Sequence, residues 1–433
     1  MKKILTMMAA MISLHAFAQQ QWTLKDCIDY ALQNNITLKQ AQLSKQSVTE
    51  DRRQSQASLL PSLTANTNQS LGYSPWTENT TVDKSYYSGT YSINASWTVW
   101  NGNKNRNTLK QSKLSEQQAE RYAEETANTI QEKIAQLFVQ ILYQSETIIV
   151  NQQSLEASKK NEERGQQMLE VGKMSKADLA QLTAQRATDE YNLVSAESSL
   201  ANYKLQLKQL LEITDDRPFD IAIPTTSDQQ ALGVIPSLAS VYEQALLIRP
   251  EIKYTELALQ SSDLEVKMAK AGYMPTVSVT GGVGTNTSSR SSNSWGSQFK
   301  TNFDANVGVG VSVPLFDNRK NKTAVNKAKI KHEQALLDQL DEQKQLYSTI
   351  EGLWLDAQTN QQKFRSAQLS VESEQQSYDL LSEQFQLGLK NIVELLNGKT
   401  NLLKAQQNKL QSKYTTILNQ QLLRFYQGEV MSI

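Results

Sequence analysis

Histidine and cysteine carry most of the metal-binding and nucleophilic chemistry of proteins, and this chain of 433 residues has very few of them. Its two histidines are His15 and His332, and its single cysteine is Cys27. A metal cluster, a Cys–His pair or a Ser–His–Asp triad requires more of these side chains close together. No pair of carboxylates stands out by its spacing either. We therefore predict no catalytic residue, no metal site and no cofactor, and a protein that is not an enzyme.

The charged residues argue against a second class of function. The chain has 44 Lys and Arg residues and 44 Asp and Glu residues, so its formal net charge is zero, and no run of basic residues breaks this balance locally. Nucleic-acid binding normally requires a basic excess or a basic patch. The sequence therefore predicts no nucleic-acid partner.

Residues 1–18 predict a secretory signal peptide. A basic start, a largely apolar stretch over residues 4–14 and the small-x-small site at residues 16–18 are typical of such leaders. Cys27 follows it within a helical pattern and lacks the small residues that a lipid-attachment motif needs before the cysteine, so we predict a buried, inert thiol. The rest of the chain has no run of the ~18 apolar residues that a membrane helix requires.

The chain after the leader repeats the same features twice. Residues 26–39 match residues 240–253, and residues 98–105 match residues 314–321. This similarity predicts a tandem duplication, with a first structural repeat over 19–225 and a second over 226–433. Pro218, Pro224 and Pro236 mark the join between them.

Each repeat contains a long helical segment, at 104–170 and at 320–386. Neither segment contains a proline, and apolar residues such as Ile130, Ile134 and Ile141 step by three and four, as along a coiled-coil seam. A helix of this length would extend about 100 Å, longer than a compact domain. Each long helix is followed by a glycine-containing tip and an ascending helix, over 176–211 and 392–428, which predicts two long helical hairpins.

Before each long helix, the sequence switches to a period of two, which predicts strand pairs over 61–100 and 275–316. One face of each strand is apolar and the other is rich in Ser, Thr, Asn and Gly. Strands of this length can cross a bilayer at a tilt. The residues predicted to face lipid are Tyr91, Ile93, Trp97, Val307, Val309 and Val311. The aromatic residues predicted at the membrane interfaces are Tyr73, Tyr86, Trp100 and Phe316.

Four strands cannot close a barrel, and a membrane does not tolerate open sheet edges. The chain must therefore oligomerise around a shared barrel, with eight strands in a dimer or twelve in a trimer. The predicted fold class is mainly α with a small β part: long coiled-coil helical hairpins plus four transmembrane strands per chain.

Several motifs together resemble those of the TolC family of outer-membrane efflux proteins. They are the start of the mature chain at 22–35 (WTLKDCIDYALQNN), the strand-to-helix turn at 314–319 (PLFDNR), and the tips at 171–179 (VGKMSKADL) and 387–395 (LGLKNIVEL). The resemblance covers essentially the whole mature chain. It implies a homotrimer in the outer membrane of a Gram-negative bacterium, with a twelve-stranded barrel that continues into a long periplasmic tunnel of helices.

The resemblance also implies partners and sites. The partners would be outer-membrane lipid, a periplasmic adaptor (membrane fusion protein) and an inner-membrane pump of the RND or ABC type, which supplies the energy for passive export through the channel. The adaptor would dock on the tips, at Val171, Gly172, Leu387 and Gly388. Asp178 and Glu394 would lie around the periplasmic entrance, whereas the position of the family's second acidic ring is Asn397 here.

A dense group of mixed charges lies near the two tips. Its members are Lys173, Lys176, Asp178, Lys390 and Glu394. We expect these residues to hold the resting entrance closed through ion pairs between neighbouring helices. Alternatively, Glu394 pairs with Lys390 four residues earlier and contributes only ~0.3 kcal/mol.

Two other classes of protein share part of this pattern. A trimeric coiled-coil surface stalk or adhesin would have the heptads but would not need duplicated strand pairs. A periplasmic adaptor would have a leader and a helical hairpin but no lipid-facing alternation. Within the channel interpretation, the motifs do not distinguish drug efflux, metal efflux and protein secretion.

Overall fold

The computed structural model describes residues 21–76, 83–214, 219–224 and 228–432. The predicted signal peptide, Pro218 and part of the 74–85 loop lie outside these residues. The chain is mainly helical and divides into two compact units. Unit 1 contains residues 21–40, 124–249 and 343–432, and unit 2 contains residues 41–123 and 250–342.

The elements follow one another in a similar order in the two halves of the chain. The first half has β1 (Gln21–Trp22), α1 (Leu24–Asn34), α2 (Ile36–Ala57), β2 (Ser62–Tyr73), β3 (Ser85–Trp100), α3 (Lys104–Glu170), α4 (Lys176–Leu210) and β4 (Asp220–Ile221). The second has α5 (Asp228–Ala231), α6 (Leu238–Ile248), α7 (Pro250–Ala271), β5 (Thr276–Ser288), α8 (Trp295–Thr301), β6 (Asp304–Ser312), α9 (Lys320–Gln386) and α10 (Ile392–Tyr426). Among the described residues, no helix is both long and apolar enough to span a bilayer.

Unit 2 contains an antiparallel sheet in the order β2-β3-β5-β6. Its register aligns apolar residues across all four strands, as in the row Ala65, Ile93, Val283 and Ala305. The neighbouring row is Thr64, Asn94, Gly282 and Asn306, which point to the opposite face. The sheet therefore has one apolar and one polar face, and β2 and β6 are its edges.

The strands differ from the predicted pattern at two places. Simple alternation puts Val99 on the apolar face, but a register shift between Thr98 and Trp100 makes Trp100 the partner of Val277. Such a bulge adds one residue to a strand and moves the next side chain to the other face. β6 ends at Ser312, short of the predicted end at 316, since Pro314 has no N–H for the ladder.

The loop between β5 and β6 contains a helix that the sequence pattern did not predict. The N-cap of α8 is Ser294, whose Oγ accepts a hydrogen bond from Ser297 N–H at 3.4 Å. Trp295 and Phe299 of this helix lie 6.4 and 5.6 Å, between ring centroids, from Tyr91 on the apolar face of β3.

Unit 1 has a core around the middle of α3. Ile130, Ile134 and Ile141 are buried there, as the seam predicts, but Phe138 and Leu142 are also buried. The predicted seam is therefore too narrow, because side chains of α1, α4 and α10 cover several faces of this segment. Cys27 on α1 is fully buried in the same core.

Candidate functional site: the hairpin tips

The helical hairpins α3/α4 and α9/α10, called hairpin 1 and hairpin 2, reverse direction through the same turn. Gly172 and Gly388 both have φ of +71°. In hairpin 1, Lys173 N–H donates to Met168 O at 2.8 Å, and in hairpin 2, Leu389 N–H donates to Gln384 O at 2.9 Å. This is the Schellman arrangement, which satisfies the last carbonyls of a helix and requires a left-handed residue. Glycine adopts that conformation without strain.

The acidic residues Asp178 and Glu394 are each hydrogen-bonded to the N-cap of the helix that follows the tip. Ser175, the N-cap of α4, accepts from Asp178 N–H at 3.1 Å and donates its hydroxyl to Asp178 Oδ2 at 2.8 Å. Asn391, the N-cap of α10, accepts from Glu394 N–H at 2.9 Å and donates its amide to Glu394 Oε1 at 3.2 Å. Carboxylates in the first turn are also favoured by the helix dipole. Asp178 and Glu394 therefore stabilise the tips of their own hairpins.

The basic residues of the tips are solvent-exposed. Lys390 Nζ lies 2.5 Å from Glu394 Oε2, in the i,i+4 spacing that the sequence left as the alternative to a gate between helices. Both side chains are about two-fifths exposed, so this pair contributes about 0.3–0.5 kcal/mol. Lys173 and Lys176 are exposed at the tip of hairpin 1.

Apolar side chains project beside the tip glycines. Val171 is 68% exposed and Leu387 is 73% exposed. Since a large apolar side chain in such a position has no packing role in this chain's core, the tips present a candidate contact surface.

The two hairpins contact each other just above the tips through an apolar cluster that sequence reasoning missed. Leu182 of hairpin 1 is buried with Phe385, Ile392 and Leu395 of hairpin 2. Ile392 and Leu395 have the spacing of a buried helix face, but that spacing does not identify the helix that covers it.

Sequence reasoning also missed a buried ion pair between the hairpins, formed by Lys399 of α10 and Asp189 of α4. A signal was present in the sequence, because Asp189 lies seven residues from both Leu182 and Ala196, which are buried on the same helix. A charged residue at a heptad core position is a departure that points to a specific contact.

The residues predicted to face lipid share the apolar face of the sheet. Ile93 pairs with Val283 and Trp97 with Val279, while Val309 also pairs with Val279. Tyr91, Val307 and Val311 occupy equivalent positions in the same register. Val307 and Val309 are 84% and 71% exposed, so none of the elements that the structure describes covers that part of the face.

The predicted interfacial aromatic residues lie at the ends of the strands. Tyr73 and Tyr86 are at the β2–β3 hairpin end, where the Arg290 guanidinium lies 3.8 Å from the Tyr86 ring centroid. Trp100 and Phe316 are at the opposite end, and Phe316 is 87% exposed beyond the end of β6. Within the described parts of the chain, no three His, Cys, Asp or Glu residues are arranged to hold a metal ion.

Comparisons with known proteins agree with this architecture. The outer membrane efflux protein family matches residues 27–212 and 241–429. The outer membrane efflux protein BepC of Brucella suis is 20% identical over 397 residues, which cover 92% of this chain and 83% of BepC.

Two solved channels have a similar fold. CusC superposes on this chain with a TM-score of 0.83 at 19% identity, and the superposition covers 94% of this chain and 92% of CusC. VceC of Vibrio cholerae superposes on this chain with a TM-score of 0.80 at 18% identity, and the superposition covers 94% of this chain and 96% of VceC. Since the family matches most of both halves, the chain belongs to the outer membrane efflux protein family and is a protein of the outer membrane.

Proposed function

We propose that this chain forms the outer-membrane exit channel of a tripartite efflux or type I secretion system. Three copies would form one channel, and small molecules or proteins would be delivered by an inner-membrane pump of the RND or ABC type through a periplasmic adaptor. The chain itself would catalyse no reaction, and the pump would supply the energy. The observation that carries this proposal is a sheet with one apolar face and two open edges in a chain that also forms two long helical hairpins.

The sheet supports a shared barrel. β2 and β6 are edge strands, and unpaired backbone groups are not tolerated in the hydrocarbon core of a membrane. Pairing of β6 with β2 of the next copy removes both edges, and three copies supply twelve strands. The apolar face that contains Ile93, Val307 and Val309 would then face lipid, and the Ser-, Thr- and Asn-rich face would line the lumen.

The helices also have surfaces suited to neighbouring copies. Tyr191 and Val194 on α4 are 73% and 58% exposed, and Leu369 and Leu380 on α9 are 67% and 59% exposed. Apolar side chains at regular spacing along a long helix are expected to pack against another helix. We assign these two faces to contacts between adjacent copies.

The tips are the proposed docking surface for the adaptor. Val171 and Leu387 offer exposed apolar side chains beside Gly172 and Gly388, where the absence of a Cβ allows close approach by a partner's backbone. A Leu387→Asp variant should lose copurification with the adaptor while it still assembles in the outer membrane, because the change lies outside the packed helices.

The charged residues of the tips are the proposed entrance gate. In a trimer, Asp178 and Glu394 would form rings of negative charge that favour cations. Lys173, Lys176 and Lys390 would pair with these carboxylates between neighbouring helices when the entrance is closed.

Membrane fractionation and planar-bilayer recordings test the proposal. The wild-type protein should fractionate as an integral outer-membrane oligomer and conduct ions with cation preference. An Asp178→Ala/Lys390→Ala variant should have a raised conductance and a weaker cation preference, whereas Lys404→Ala, an exposed change on α10 outside the tip, should have neither effect. Unchanged currents in the double variant would refute the gate, and a wild-type protein without currents would refute the channel.

A further inference from the structure

Lys399 of hairpin 2 and Asp189 of hairpin 1 are among the most deeply buried charged residues of the chain. The Lys399 side chain is 5% exposed and the Asp189 side chain 1%, and the Lys399 ammonium contacts Asp189 Oδ2. Burial lowers the pKa of Lys399 from its ordinary value, and the hydrogen bond to Asp189 opposes that shift. An ion pair removed from water to this degree needs a complete set of partners.

The structure supplies those partners from α3 and α4. Lys399 Nζ donates to Asp189 Oδ2, to Ser158 Oγ and, at 2.8 Å, to Ser154 O on α3. Ser158 donates its hydroxyl to Asp189 Oδ2 at 2.5 Å, and Gln185 Nε2 donates to Asp189 Oδ1 at 3.0 Å. All three ammonium protons and both carboxylate oxygens are therefore hydrogen-bonded.

Lys399, Asp189 and Ser158, called the Lys399 cluster, include two residues at positions where a coiled coil normally has apolar residues. Leu395, Lys399 and Leu402 follow one another at steps of four and three along α10, and all three are buried. Asp189 takes the corresponding place on α4, between Leu182 and Ala196. Apolar residues at these positions would be at least as stabilising, since desolvation of two charges offsets most of their attraction. A buried polar contact at such a position is best known for fixing the register of packed helices.

Geometry explains why this contact resists sliding. Apolar side chains exchange neighbours with little loss when one helix shifts along another, but hydrogen bonds require both distance and direction. A shift by one residue moves Lys399 by about 1.5 Å along the helix axis and turns it by about 100°, which takes the ammonium away from its acceptors. The buried charges would then be left without partners.

The Lys399 cluster lies farther from the tips than two weaker contacts between the hairpins. Lys399 is seven residues, about 10 Å, along α10 from its first residue, Ile392. Closer to the tips, Asn161 Nδ2 lies 3.5 Å from Tyr378 Oη, and the apolar cluster around Leu182 follows. The Lys390–Glu394 pair at the tip belongs to hairpin 2 alone.

We propose that Lys399, Asp189 and Ser158 form a positioning site that fixes the register of hairpin 2 against hairpin 1 and thereby holds the periplasmic entrance closed. This inference rests on the proposed channel function, since it assigns the site to the resting state of the entrance. Loss of the site should loosen the tips without disturbing the barrel, because the three residues belong to unit 1 and the sheet to unit 2.

The test combines conductance with labelling of a buried tip position. Leu182 is 1% exposed, so a Leu182→Cys reporter should react slowly with a maleimide in the closed protein. Lys399→Met should raise conductance at least threefold and labelling at least tenfold. Lys404→Met, an exposed lysine on the same helix, should change neither. Ser158→Thr should retain the wild-type values because it keeps the hydroxyl, whereas Ser158→Ala should shift both toward the Lys399→Met values.

A second variant covers the case in which an unpaired Asp189 prevents folding. Asp189→Leu/Lys399→Met removes both charges and should assemble as a heat-resistant oligomer with the same raised conductance and labelling. An assembled double variant with wild-type conductance and slow labelling would overturn the proposal, and so would failure of this variant to assemble. If the wild-type protein conducts no ions, the channel proposal fails, whereas labelling of Leu182→Cys still reports whether Lys399 holds the hairpins together.

Discussion

Gly165 on α3 lies directly against Leu182 on α4, so that a Cβ at residue 165 would be 2.5 Å from Leu182 Cδ1. Hairpin 2 has the same contact in reverse, since a Cβ at Gly398 on α10 would be 2.6 Å from Leu381 Cδ1 on α9. Each hairpin thus pairs one glycine with one leucine at the equivalent level. A small residue opposite a large one lets two helices pack closely without a void.

Exchange of the two residues in hairpin 1 tests this complementarity. Gly165→Leu alone should destabilise the protein by about 1–3 kcal/mol through overpacking. Gly165→Leu/Leu182→Gly reproduces the glycine–leucine arrangement of hairpin 2 and should be destabilised by less than the sum of the two single variants, although it still loses the packing of Leu182 against Phe385, Ile392 and Leu395. The measurement is urea unfolding of purified protein followed by far-UV circular dichroism, with Leu182→Gly completing the double-mutant cycle. Additive costs in the double variant would show that the contact is not a matched pair.

The sequence predicted the elements of this fold better than their contacts. The periods of two and of three to four residues report which face of an element is buried, and the strands and long helices begin near the predicted residues. Gly172 and Gly388 were informative because a chain reversal after a helix imposes a backbone conformation that glycine favours. Those signals depend on residues close together in the chain.

The contacts between hairpins depend on residues far apart, and periodicity does not identify the partner of a buried face. Lys399 and Asp189 are 210 positions apart. The heptad position of Asp189 indicates a buried contact but does not identify Lys399 as its partner. Gly165 and Gly398 resemble weak points of a helix until Leu182 and Leu381 are seen against them. The helix α8 also escaped prediction, because its cap, Ser294, lies in a polar loop rich in serine.

The orientation of the sheet in the membrane gives a second prediction. Val309 lies on the apolar face, and Thr280 on the neighbouring strand lies on the polar face at almost the same level. Val309→Arg should cost about 2–4 kcal/mol near the bilayer midplane and should reduce the yield of heat-resistant oligomer in membranes. Thr280→Arg should leave that yield near the wild-type value, because its side chain would lie in an aqueous lumen. Equal loss in both variants would contradict the assigned orientation.

Cys27 gives a prediction about reactivity. Burial, followed by the charge of Asp26, raises the pKa of the Cys27 thiol to about 12. At pH 8 the native protein should therefore not react with a maleimide, because the reactive thiolate is scarce and inaccessible. One thiol per chain should become reactive in denaturant, and Val171→Cys at the exposed tip should react rapidly in the native protein. Rapid native labelling of Cys27 would show that α1 separates readily from the core of unit 1.

Glu342 on α9 gives a pH-dependent prediction. Burial raises the pKa of its carboxyl, and the nearby charges of Glu251 and Asp341 add to the shift. The ionised form is thus disfavoured in the folded state, which costs stability at neutral pH. That cost disappears as the pH falls through the raised pKa, and it is fully relieved below the unfolded value near 4.5, where the folded and unfolded states are both protonated.

Replacement of this carboxyl by a neutral amide measures the cost. Glu342→Gln should stabilise the protein at pH 7, by less than about 1 kcal/mol for a partly solvated group, and the difference from wild type should shrink as the pH approaches 4. Thermal unfolding at a series of pH values measures it, with Glu333→Gln, a change on the same helix outside this acidic group, as the control. A stabilisation that persists unchanged at pH 4 would mean that the Glu342→Gln substitution acts through packing and not through removal of the charge.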